Sequence, residues 1–172
     1  MKQKTNGCGC DENCCTFGEY QVKRLLIEFM YIDLTVCDRC MGTDTSLDDA
    51  IAEVATVMQA IGYEIEVRKI LVESEQQACE LDFVSSPTIR INGKDIDLVV
   101  KESLCESCGD VCGEDVDCRV WAWQGQEYTT PPKAMIVDAI LRHVYGAQQD
   151  SQSVVKDIPN NLKKFFAAKA KR

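Results

Sequence analysis

The sequence predicts an α/β protein: three layers, a mixed central sheet flanked by helices, and a cysteine-rich insertion. Three observations carry this. Leu25 to Val36 is apolar almost throughout and rich in β-branched and aromatic residues, as a strand covered on both faces is. Leu47, Ile51, Val54, Met58 and Ile61 recur at alternating spacings of four and three, which is one helix face turned to a core. Pro87 leads an alternating Thr88-Ile89-Arg90-Ile91 into Asn92-Gly93, a strong hairpin signal. A chain of 172 residues, 45% of them hydrophobic, is long enough for one domain with a real core.

Residues 1–20 are polar and glycine-bearing, with Cys8, Cys10, Cys14 and Cys15 among them. They hold too little apolar surface to pack and are expected to form a mobile tail. The domain follows as residues 21–146. Its first strand ends on Val36-Cys37-Asp38-Arg39-Cys40, a Cys-x-x-Cys. The regular helix is expected several residues later, with Thr45 or Ser46 as N-cap and Asp48 and Asp49 in the first turn. Gly62 ends it, and Met58 reads as packing. Glu64 to Val72 is a second strand, parallel to the first because the crossover is right-handed. Ser74 with Gln77 forms a capping-box pattern that opens a short helix, Glu75 to Phe83. Cys79 within it reads as a small buried hydrophobe.

The strand after Pro87 loses no ladder bond by starting on proline. An insertion at 99–118 then carries Cys105, Cys108, Cys112 and Cys118 among Glu, Asp and Gly, without a hydrophobic core of its own. Arg119 to Thr130 reads as a hairpin turning at Gln124-Gly125. Pro131-Pro132 opens a helix over Lys133 to Tyr145, with Met135, Ile136, Ala139, Ile140 and Val144 inward and Gly146 at its end. His143, the one histidine, reads as a surface or packing residue. Residues 147–172 are a polar linker and a short basic amphipathic helix with Leu162, Phe165 and Phe166, expected to dock loosely.

The formal net charge of −9 argues against nucleic acid, whose phosphates need a basic face, and disfavours acidic partners. No window approaches the ~20 apolar residues of a membrane span. No apolar signal region precedes residue 20, so the expected compartment is the cytoplasm. In that compartment 11 cysteines point to thiol chemistry or metal, and the odd count leaves at least one outside any complete pairing.

With Cys37 and Cys40 closing the first core strand, and Ser86-Pro87-Thr88 leading Ile89-Arg90-Ile91-Asn92-Gly93, the chain resembles the thioredoxin and glutaredoxin superfamily from Leu25 to Gly146. The added cysteines and the Trp121-x-Trp123…Tyr128…Pro131-Pro132 stretch resemble a bacterial domain-of-unknown-function branch of it. The resemblance implies a thioredoxin-like sandwich. It also implies a cis peptide at Pro87 that faces the two sulfurs, leaves backbone groups free for an extended substrate and blocks metal ligation at the pair.

Two function classes follow. In the first, the chain is an enzyme, a thiol–disulfide oxidoreductase acting on a protein or small-molecule disulfide without a cofactor. Cys37 is then the exposed nucleophile, Cys40 resolves the mixed disulfide, and the inserted cysteines relay electrons. The delayed helix start, with Asp38 and Asp44 nearby, is expected to weaken Cys37 as a thiolate, and Arg39 opposes this. In the second, the protein is a non-enzymatic binder of a soft metal or metalloid such as copper, zinc, mercury or arsenic. Cys105, Cys108, Cys112 and Cys118 suit structural zinc or an iron–sulfur cluster, and equally a second redox relay, disulfides or ordinary loop thiols. Cys8, Cys10, Cys14 and Cys15 are a soft-metal collecting arm or incidental thiols of a flexible one.

Overall fold

Strand β1 (Lys23–Tyr31) lies at the centre of a four-stranded sheet. The structure is a computed structural model that describes residues 22–113, 115–146 and 158–170, without the side chains of Val111 and Cys112. Cys8, Cys10, Cys14 and Cys15, the tail and the linker 147–157 therefore lie outside the described residues. Helix α1 (Asp38–Ala60) carries the chain from β1 to β2 (Tyr63–Leu71), which pairs parallel to β1 from Lys23↔Tyr63 to Tyr31↔Leu71. The short α2 (Glu75–Glu80) follows, N-capped by Ser74, whose hydroxyl accepts from Gln77 N–H. β3 (Thr88–Ile91) runs antiparallel on the other side of β1, and β4 (Lys94–Asp95) completes the order β2-β1-β3-β4. At the hairpin, Asn92 and Gly93 both take positive φ, 48° and 79°, as a tight two-residue turn requires.

Alternation along β1 divides the core. Leu25, Ile27 and Phe29 pack with Leu47, Ala50, Val54 and Met58 of α1 and with Met135, Ile136, Ala139 and Ile140 of α4 (Lys133–Tyr145). Met30 and the following Ile32 join a second core with Val72, Ala78 of α2, Phe83 and helix α5 (Asn160–Lys169). Helices thus flank both faces of a mixed sheet, and the fold is the expected three-layer, thioredoxin-like sandwich.

The insertion is ordered by β5 (Lys101–Leu104) and α3 (Glu106–Cys112). β6 (Asp117–Trp123) and β7 (Gln126–Tyr128) form the hairpin after it, and the three strands make a separate sheet in the order β5-β6-β7. The β6–β7 turn falls at Gln124-Gly125, both with positive φ.

Four local expectations are corrected. β1 stops at Tyr31, short of Val36, because the Asp33 carboxylate accepts from the N–H groups of Thr35 and Val36 and folds the apolar run into a turn. α1 starts at Asp38, with Cys37 itself as N-cap. Gly42 does not break it: a Cβ there would lie 2.7 Å from Thr130 Oγ1, so the glycine marks close packing. Thr43 and Thr45 turn their hydroxyls back onto the carbonyls of Arg39 and Met41, so neither acts as a cap. Cys79 is exposed, because the one-turn α2 turns Ala78 inward instead. α5 is firmly docked: Leu162, Phe165 and Phe166 are buried in the second core.

Candidate functional site

The turn capped by Asp33 delivers Cys37 to the N-cap of a 23-residue helix, where its sulfur accepts from the Cys40 N–H at 3.4 Å. The α1 N-terminus, with its partial positive charge, therefore acts on Cys37 directly, against the weakened dipole expected from sequence. Asp44, expected to oppose the thiolate, is engaged by Lys69 at 2.7 Å.

The insertion folds back over this helix end. Arg39, inside the Cys-x-x-Cys, donates to the carbonyls of Leu104 at 2.6 Å, Cys118 at 3.0 Å and Ser103 at 3.2 Å, fastening β5 and β6 to α1. From the other side, the Arg119 N–H donates to the Ser86 carbonyl at 2.7 Å, and the Ser86–Pro87 peptide is cis. The Arg119 guanidinium is fully buried, paired with both oxygens of Asp95 at 2.7 and 2.8 Å and stacked on Trp121. It also donates to Thr88 Oγ1 and the Asp97 carbonyl, so one side chain ties β6 to β3, β4 and the loop after them.

This closure brings together Cys37, Cys105 at the start of α3, Cys108 within it and Cys118 on β6. Their four sulfurs all lie within 4.8 Å of one another. Cys108 and Cys118 are 3.5 Å apart, beyond the ~2.0 Å of a covalent S–S bond, and all four are free thiols. None is more than 3% exposed. Phe165 and Leu162 of α5 belong to the same buried cluster and help keep it dry.

Cys40, equally buried, stands outside the quartet, with its sulfur 3.4 Å from Ser86 Oγ. The redox reading expects an exposed Cys37, and the resemblance implies free backbone groups at Pro87. The folded-back insertion leaves Cys37 no exposed surface, and it takes the carbonyl of the Ser86–Pro87 peptide. Of the inserted cysteines, three join Cys37, and the side chain of Cys112 lies outside the described residues.

Electrostatically the thiols are one system. Hydrogen bonds from Cys105, then Cys108 and Cys118, hold the Cys37 thiol far below the ordinary cysteine range. Cys105 is drawn down to about 6 by Cys108 and then Cys118. Cys108 and Cys118 are pushed up, chiefly by hydrogen bonding with Cys105, and Cys40 is pushed up by Cys37 and then by burial. The thiols share protons through their mutual hydrogen bonds. A bound cation can take the place of those shared protons.

Sequence reasoning found each cysteine but not that Cys37 meets the inserted ones, nor the roles of Arg39, Ser86 and Arg119. Arg119 left one signal, a lone charge inside the otherwise apolar run Cys118–Trp121. Among the described residues no helix is long and apolar enough to cross a membrane.

Comparison with curated proteins gives no match, and neither does comparison with solved structures. A family match covers residues 25–140, from the start of the central strand through the cysteine-bearing insertion to the middle of α4. The chain belongs to the family described as a domain of unknown function, DUF2703.

Proposed function

We propose that the protein binds one soft metal ion, Zn2+ in the first instance, through Cys37, Cys105, Cys108 and Cys118, on a scaffold derived from the thioredoxin superfamily. The observation that carries this is the mutual approach of four buried sulfurs within 4.8 Å. A tetrahedral ion with metal–sulfur arms of ~2.3 Å sets its ligands ~3.8 Å apart, so the quartet needs little adjustment. An iron–sulfur cluster would spread its ligands over different irons, farther apart than this quartet stands, so a single ion is favoured. Burial of all four ligands makes the site closed, which suits a resident or transferred ion better than metal-assisted catalysis.

The test is a metal count on protein purified without chelator, supported by cobalt substitution. One equivalent of metal is expected, with the intense sulfur-to-cobalt charge transfer of a tetrathiolate site. Cys108→Ser should lose it, and Cys112→Ser should keep it. Less than a tenth of an equivalent after loading with Zn2+ would end the proposal.

A second reading, thiol–disulfide exchange at Cys37–Cys40, is supported by Cys40 lying against Ser86 beside the cis Pro87 peptide. It requires the insertion to open, since both sulfurs are buried. Reduction of a small disulfide by metal-free protein, abolished in Cys37→Ser, distinguishes it.

A further inference from the structure

Cys37 belongs to two sets at once. It is one of the four clustered sulfurs, and it is one turn of helix from Cys40, whose backbone N–H donates to it. From this, and resting on the metal-binding reading above, we infer that Cys40 is a redox release for the metal. Oxidation closes a Cys37–Cys40 disulfide, withdraws one of the four ligands and frees the ion.

Geometry limits which thiol can do this. Cys105, Cys108 and Cys118 would each be held by the ion. Cys40 lies outside the quartet and keeps its S–H, with Ser86 Oγ 3.4 Å away. The Cα atoms of helix positions three apart stand ~5 Å from one another, inside the range a disulfide spans, so the bond can close within the first turn of α1. Val36, beside Cys37, is 38% exposed, which puts the rim of the site one residue away from solvent for an oxidant hardly larger than water.

The oxidant is hydrogen peroxide. The Cys37 sulfur gives an electron pair to one peroxide oxygen, the O–O bond breaks, and hydroxide leaves, giving a Cys37 sulfenic acid. The Cys40 sulfur then attacks the Cys37 sulfur. The S–S bond forms, the S–O bond breaks, and the oxygen departs as water with the Cys40 proton. Two thiol sulfurs are oxidised, one peroxide is reduced, and the metal is left with three ligands. A dithiol reductant reverses the bond and restores the fourth.

The experiment uses the full zinc-loaded chain, hydrogen peroxide and a chromogenic zinc chelator. Expected in the wild type are one zinc released per two thiols lost, a peptide map joining Cys37 to Cys40, and full reloading after dithiothreitol. In Cys40→Ser the sulfenic acid is trapped at Cys37 when a dione reagent is present; without it, the acid advances irreversibly, so reloading falls about tenfold. A disulfide mapped among Cys105, Cys108 and Cys118, or complete reloading of Cys40→Ser, would overturn the inference with metal binding intact. Failure of untreated protein to load zinc would instead remove the metal reading itself. The peptide map of wild-type protein needs no variant, so misfolding of Cys40→Ser cannot mask the answer.

Discussion

Asn92 shows how much one residue can fix. Its Oδ1 accepts from the Leu26 N–H at 2.9 Å, which turns its amide nitrogen toward His143 Nε2, also at 2.9 Å. An amide nitrogen only donates, so Nε2 accepts and the imidazole is neutral. Burial, and next the Lys94 cation, lower the His143 pKa below its ordinary 6.5. The unfolded chain therefore takes up a proton near that value while the folded chain resists. Stability from His143 is full above the unfolded pKa and is lost as pH falls through it towards the folded value. Urea midpoints should decline between about pH 7.5 and 5.5, and His143→Gln should flatten that decline. An equally steep decline in the variant would refute the role given to the ring. The Asn-Gly turn itself was plain in the sequence, because its dihedral demand is local. Its grip on α4 was not, because it depends on residues 51 positions apart.

At the scale of elements, what the sequence made legible is what local chemistry decides. α4 occupies Lys133–Tyr145 as its periodicity and the Pro131-Pro132 start require, and β3 follows Pro87 as read. Errors came where tertiary contacts override a local signal. Thr45 reads as a cap but bonds within the helix, which runs through Gly42 because the glycine packs against Thr130. α5 is the largest revision. The sequence reads as a short basic amphipathic helix, loosely docked, yet Phe165 is 1% exposed and shares a buried cluster with Cys37, Cys40, Cys105, Cys108 and Cys118. Phe165→Ala should destabilise the protein by about 3–5 kcal/mol, the usual range for deleting a buried aromatic. It should also speed reaction of the clustered thiols with an aromatic disulfide reagent in metal-free protein. Denaturant titration and thiol kinetics check the pair, and a stability loss under about 1 kcal/mol would mean that α5 is peripheral after all.

For the whole molecule, the quartet gathers sulfurs from distant parts of the chain. Cys37 opens α1, whereas Cys105, Cys108 and Cys118 belong to a segment whose own sheet is separate from the central one. Metal there would close a long loop, for which the chain-entropy argument gives on the order of 4 kcal/mol. Stripping the metal should therefore lower Tm and raise amide exchange in 99–118 before it does so in β1 and α1. Hydrogen exchange on loaded and stripped protein reads this directly, and identical protection in the insertion would contradict it. None of this was legible in sequence. The two cysteine groups are far apart along the chain, and no local pattern reports that Arg39 and Arg119 fold one onto the other.

The bond from Arg119 N–H to the Ser86 carbonyl has a wider meaning for the company this protein can keep. The thioredoxin resemblance implies that the backbone at Pro87 is open to an extended visitor. Here the chain supplies its own strand, tethered and so present at a local concentration in the millimolar range, against which a free peptide competes poorly. The thiols beneath are at most 3% exposed, and a polypeptide that would pair with the Ser86 carbonyl must first displace β6.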